Sequence, residues 1–190
     1  NSPAALSRAD LTGRILVQRT SAGTQGVVAA TSATRLWAAS LACASATARA
    51  VVAARLGAPT YVISGCFAER PDRPGTDDRL TAALIERVRL GEPADAVATA
   101  DAVLASDEAR RTLALPPEHC DPADIALATR VDAFDFAMEV ERDEVGLRLT
   151  ARRVDDQRAD EARPAEVQRA DEVRPAEVRP GEVRPGEVRA

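Results

Sequence analysis

The run Arg14-Ile15-Leu16-Val17-Gln18-Arg19-Thr20-Ser21-Ala22-Gly23-Thr24-Gln25-Gly26 passes from an apolar, β-prone segment into a turn rich in hydroxyls and glycine. Ile15, Leu16 and Val17 suit a strand, and the small apolar residues 27–30 suit the opening of a helix. A strand, a Ser/Thr/Gly turn and a helix start aim backbone N–H groups at an anion. The first helical turn has unpaired donors and the positive end of the helix dipole. Glycine lets the backbone approach a phosphate oxygen closely, and hydroxyls add donors. The same residues also serve an ordinary strand-to-helix connection with Ser or Thr as the N-cap. The turn has neither a Walker lysine nor a full dinucleotide fingerprint.

The 190-residue chain is 45% hydrophobic but only 3% aromatic, a composition that favours Ala-rich helices packed closely on a sheet. Its 25 basic residues are all Arg, which we read as genomic base composition. The net charge of −5 argues against a general nucleic-acid binder, which carries a basic face. No apolar run is long enough to span a bilayer, and no basic, apolar, small-residue signal opens the chain. The expected compartment is the cytoplasm. Cys43, Cys66 and Cys120 lack Cys-x-x-Cys spacing, which speaks against a disulfide framework or a zinc site. Asn1-Ser2-Pro3 reads like the interior of a longer protein.

The pattern predicts a short helical turn after Ser2, with Pro3 in its first position, a strand at 15–17 and a helix at 27–33. A second strand at 35–40 holds Trp37, and an Ala-rich helix at 44–56 stops at Gly57. A third strand covers 60–64. Strands separated by helical stretches predict parallel βαβ units. After a loop at 65–75, a helix at 76–90 is expected with Thr76 as its N-cap and Gly91 as its stop. Helices at 95–104 and 107–115 follow, then a Pro-framed loop with His119, and a short helix at 124–130. Residues 133–140 and 147–152 flank a charged turn with Gly146, which reads as an antiparallel hairpin. Residues 1–153 therefore read as one α/β domain. Residues 154–190 run into five-residue Arg-Pro-Gly-Glu-Val repeats, which predict a solvated, disordered tail.

Asp77 and Asp78 stand at the mouth of the expected helix after a strand and a loop. Paired carboxylates there suit Mg²⁺, a hard cation that takes oxygen ligands alongside phosphate. They equally suit the helix dipole. Glu69 and Asp72 in the loop are second-ligand candidates or solvated charges. Cys66 ends the third strand, but the one His, His119, lies in a Pro-rich loop, which makes a Cys/His enzyme a weak reading. Cys43 opens the Ala-rich helix, and Asp132 and Asp135 border the hairpin.

Several short motifs in order resemble the 2-phosphosulfolactate phosphatases, the ComB-like family. They are Thr-Ser-Ala-Gly-Thr at 20–24, Ala-Ala-Ser-Leu-Ala-Cys-Ala-Ser-Ala at 38–46, Ile-Ser-Gly-Cys at 63–66, Asp77-Asp78, Gly-Glu-Pro-Ala-Asp-Ala at 91–96, and Val-Asp-x-Phe-Asp at 131–135. The resemblance implies a three-layer αβα fold with a mixed sheet. It also implies a Mg²⁺-dependent phosphatase that converts 2-phosphosulfolactate, or a related small phosphate ester, to 3-sulfolactate and phosphate on the way to coenzyme M. By position it assigns Thr20, Ser21, Gly23 and Thr24 to phosphate and Asp77 and Asp78 to the metal. The attacking group stays unassigned. Two departures stand out: Ala22 and Cys43 occupy positions where the family carries Asn, and neither supplies an amide donor. The family's Asp-x-x-Arg-Ala-Thr-type segment is also not among these residues, so the expected fold is incomplete at the N-terminus. The expected partner is a small phosphorylated substrate, with neither nucleic acid nor membrane, and a homo-oligomer is compatible with the reading. The alternative function is an inactive remnant, or an anion-binding protein of the same fold.

Overall fold

In chain order, the computed structural model contains α1 (Pro3–Ser7), α2 (Gly23–Ala29), β1 (Leu36–Ala38), a 3-10 turn (Leu41–Cys43) and α3 (Ala44–Ala54). It continues with α4 (Thr76–Leu90), α5 (Ala96–Leu104), α6 (Asp107–Leu113), α7 (Pro122–Ala128), β2 (Ala137–Arg142) and β3 (Leu147–Arg152). The structure describes residues 2–20, 22–66, 72–116, 119–153 and 155. Ser21, Glu69 and the repeats of the expected tail lie outside the described residues.

Local chemistry explains most boundaries. Ser2 Oγ accepts from the Ala5 amide and Pro3 follows it, so α1 starts as predicted. Asp95 and Ser106 cap α5 and α6 by accepting from the Ala98 and Ala109 amides. A capping box between Asp121 and Asp124 opens α7, with Pro122 in its first turn. Gly91, at φ 70, ends α4 in the left-handed region. Asp143 accepts from the Val145 and Gly146 amides and shapes the hairpin turn between β2 and β3.

The sheet has the order β1-β2-β3, and both pairs are antiparallel. Trp37 lies opposite Glu139, and Val140 opposite Leu149. Arg35 ties the start of β1 to Glu139 at 2.7 Å and stacks its guanidinium over Trp37. Helix α3 packs against both α4 and β2. Leu41, Ala44 and Ala48 meet Leu84, Ile85 and Val103 in the central cluster, with Tyr61, Leu80, Val88 and Val131 around them. Ala44 and Ala48 let the helices approach closely, as the aromatic-poor composition predicts.

The α/β class stands, but the pairing differs from the parallel units expected. Residues 15–17 and 60–64 form no strand. Ile15 is 94% and Val17 is 88% exposed, so the first run has β-prone side chains and no partner strand. β propensity describes a fit to a half-buried pleated surface, and without that surface it is not realised. The second run is instead held by Tyr61. Helix α2 starts four residues before its expected position, at Gly23, and ends at Ala29. Helix α3 stops at Arg55, at φ 53, and not at Gly57. Thr76 is the first helical residue of α4 and not its cap; Gly75, at φ 65, takes the N-cap position with no side-chain capping bond.

Tyr61 Oη donates to Glu86 Oε2 at 2.9 Å, and Arg89 grips both oxygens of the same carboxylate at 2.7 Å. This clasp binds 60–64 to α4. The Arg89 hydrogen bonds hold Glu86 at about 2, against an ordinary 4.5, while burial and the Glu86 carboxylate push the Tyr61 phenol upward. A carboxylate depressed in the folded state stabilises above its unfolded pKa and loses that contribution as pH falls. Urea unfolding should therefore show Glu86→Gln less stable than wild type at pH 6. The gap should narrow as pH drops from about 4.5 to about 2.

Candidate active site at the starts of α2 and α4

The turn before α2 is closed by two threonines. The Thr24 amide donates to Thr20 Oγ1 at 2.8 Å, and the Thr20 amide donates to Thr24 Oγ1 at 2.9 Å. Thr24 Oγ1 also donates to the Thr20 carbonyl at 3.0 Å. The two hydroxyls thus bind each other, and Thr20 Oγ1 takes up one amide of the helix start; both residues are half-buried, while Gly23 is exposed. Gly26 lies on the following turn; a Cβ there would come within 3.1 Å of Ser64 Cβ.

Asp77 and Asp78 occupy the first turn of α4. Asp78 Oδ2 accepts from Ser64 Oγ at 3.1 Å and from the Gly65 amide at 2.9 Å. Asp78 Oδ1 carries no hydrogen bond among the described residues. Burial, then the Asp78 charge, push Asp77 above the ordinary carboxylate range, and the Glu108 charge adds to this. Glu108 stands in the first turn of α6; Arg111 lies 3.3 Å from it, and among the described residues neither of its oxygens has a hydrogen-bond partner. The head of α4 is therefore a half-buried place of concentrated negative charge.

Gly26 of α2 lies against Ser64 and Val62, and Asp78 of α4 bonds to Ser64 and Gly65, so both helices meet residues 62–65. Among the described residues, no hydrogen bond joins Thr20 or Thr24 to Asp77 or Asp78. The bridging role of Ser64 and Gly65 was not read from the sequence, nor was Glu108. The Ser-Gly pair and the acidic first turn of α6 were the visible signals, but only tertiary contact gives them meaning.

The other candidates go elsewhere. Cys66 is exposed, with Arg79 Nη2 4.0 Å from its sulfur. The His119 amide donates to the Pro116 carbonyl at 2.8 Å, and no hydrogen bond joins His119 to Cys66. Cys43 is buried, and its sulfur lies 3.4 Å from Ser40 Oγ. Asp135 pairs with Arg153, which lowers its pKa. Asp132 caps α3 from 87 positions away: it accepts from the Ser45 amide at 2.7 Å and from Ser45 Oγ at 2.5 Å. It adopts φ 53, and its own amide donates to the Leu41 carbonyl. The N-terminus of α3 is thereby already filled by a carboxylate. Asp132→Ala should cost about 1–2 kcal/mol in urea unfolding from the lost cap alone, with further strain at the left-handed backbone.

Among known proteins, the family model described as 2-phosphosulpholactate phosphatase matches residues 1–142. The chain belongs to that family, and so to the phosphatase hydrolases of the ComB-like superfamily. No curated protein and no solved structure matches it. Among the described residues, no helix is long and apolar enough to cross a membrane.

Proposed function

We propose that the chain is a Mg²⁺-dependent phosphoric monoester hydrolase acting on 2-phosphosulfolactate or a related small phosphate ester. The observation that carries this reading is the acidic pair at the head of α4, one residue pinned by Ser64 and Gly65 and the other crowded by like charge.

Among the described residues, no group of three or more His, Cys, Asp or Glu is placed to hold a metal. Mg²⁺ does not require one, because it keeps several waters and takes one or two carboxylates together with substrate phosphate. Asp77 and Asp78 fit that demand: Asp78 Oδ1 carries no hydrogen bond among the described residues, and a cation would offset the burial and the Asp78 charge that raise Asp77. Bound there, Mg²⁺ supplies positive charge opposite the phosphoryl oxygens. The Gly23 and Thr24 backbone and the Thr20 and Thr24 hydroxyls make up the phosphate side, with Ser21 assigned by its place in the motif. To donate to phosphate, the two hydroxyls exchange their mutual bonds for bonds to the substrate. In the reaction, a water oxygen bonds to phosphorus, the ester P–O bond breaks, and the released alkoxide takes the proton that the water gives up.

The mutual satisfaction of Thr20 and Thr24 favours a second reading, a member of the family that binds an anion without turning it over. One assay separates the two. Phosphate release from 2-phosphosulfolactate is measured with Mg²⁺ and with EDTA; release that EDTA abolishes supports the phosphatase. Inorganic phosphate binding without any release supports the second reading.

A further inference from the structure

Strand β1 begins at Leu36, opposite Val140, while β2 runs on past it to Arg142. Residues 31–35 turn aside before β1, and a cavity of about 380 Å³ lies beside this overhang. Thr31, Thr34, Leu36, Val140, Arg142 and Leu147 are among its walls. The Asp143 amide donates to the Gly146 carbonyl, across the hairpin toward β3. Backbone groups alternate sides along an antiparallel strand, so the Arg142 N–H and C=O face the lane that β1 does not reach. Among the described residues neither group has a hydrogen-bond partner. Leu36 lies opposite Val140 and Leu147 opposite Arg142, and 140 and 142 are two residues apart, so all four share one sheet face. The neighbouring charges are settled: Arg35 pairs with Glu139, Arg152 with Glu141 and Arg148 with Asp143. Among the described residues Arg142 has no ion pair, not even with Glu144 in the adjoining turn.

The cavity thus combines a free guanidinium, an open strand edge and three apolar side chains. A guanidinium fork matches a carboxylate, and a strand edge takes an amide through both its donor and its acceptor. We propose that this cavity binds small N-acylated amino acids with an apolar side chain. The carboxylate pairs with the Arg142 guanidinium, the amide bonds to the Arg142 backbone, and the side chain lies on Leu36, Val140 and Leu147. None of these residues belongs to the candidate active site, so the binding does not depend on the phosphatase reading.

The test is titration of the full chain with N-acetyl-leucine, followed by calorimetry and by tryptophan fluorescence. Trp37 is the one Trp, and the guanidinium over its ring, 5.1 Å from the centroid, belongs to Arg35 in the cavity wall. Wild type should bind with a Kd of about 1 mM or tighter. Arg142→Gln, at an exposed side chain, should weaken binding at least about 10-fold. On the wild-type chain, N-acetyl-leucinamide tests the carboxylate and N-acetylglycine tests the apolar contact; each should bind at least about 10-fold more weakly. Neither heat nor fluorescence change up to about 10 mM would overturn the proposal. So would an Arg142→Gln chain with wild-type affinity, or N-acetyl-leucinamide binding as well as the acid. Inorganic phosphate binding as tightly as N-acetyl-leucine, and losing affinity in Arg142→Gln, would show a general anion site and overturn the assigned class.

Discussion

Replacing Asp77 and Asp78 together with alanine should remove Mg²⁺-dependent phosphate release, by about 10³-fold or more, while the far-ultraviolet circular dichroism stays helical. Metal stabilisation of a phosphoryl transition state amounts to several kcal/mol, and each 1.36 kcal/mol is about tenfold in rate. The single variants separate two contributions. Among the described residues no hydrogen bond ties the Asp77 side chain to the loop, so Asp77→Asn should chiefly remove charge. Asp78 anchors Ser64 and Gly65, so Asp78→Ala should also loosen 62–65. Asp78→Asn keeps an oxygen for those two donors and removes the charge. If Asp78→Asn is as inactive as Asp78→Ala, the charge is what the reaction needs. Full activity in the double variant, measured with and without EDTA, would overturn the assignment of the metal to this pair.

Ile85→Ala should be the most damaging single truncation of the core. Ile85 is 1% exposed, and with Cys43 it is among the largest fully buried side chains. Its neighbours in the cluster include Ala44 and Ala48, which have no length with which to fill a void. Truncations of this kind cost about 2–5 kcal/mol, rising with the residual cavity. In a chain of this size each kcal/mol lowers Tm by about 2–4 °C, so a fall of roughly 5–15 °C is expected by differential scanning calorimetry. Val28→Ala, at a side chain 58% exposed, should change Tm by less than about 2 °C and serves as the control.

Elements that announce themselves through adjacent residues were legible in the sequence. Helix α4 was legible down to its end at Leu90, because acids open it and Gly91 closes it, although Thr76 turns out to be its first residue and not its cap. Asp95 and Ser106 marked α5 and α6, and Gly146 marked the hairpin. Residues 15–17 and 60–64 misled, because apolar β-branched residues report a local preference and say nothing about a partner strand. The sheet is instead assembled from β1 and a hairpin that follows about a hundred residues later, Leu36 pairing with Val140. The candidate site divides in the same way. Asp77 and Asp78 were visible from their place at a helix mouth, and the family came from the order of motifs, which the match over 1–142 bears out. Ser64 and Glu108 were not visible, because their relation to the pair exists only once α4 meets the loop and α6.

The Asp132 cap on α3 bears on how the chain reaches its fold during synthesis. Helix α3 emerges from the ribosome with its N-terminal amides open, and the carboxylate that closes them follows 87 residues later. Ser2 waits 122 positions for Asp124, and Arg35 waits 104 for Glu139. Contacts so distant in sequence must pay loop-closure entropy before they return any stability. Helix α3 and strand β1 therefore gain these contacts only once the residues around β2 have been made. Completion of this sheet waits for β2 and β3, the hairpin that pairs with β1.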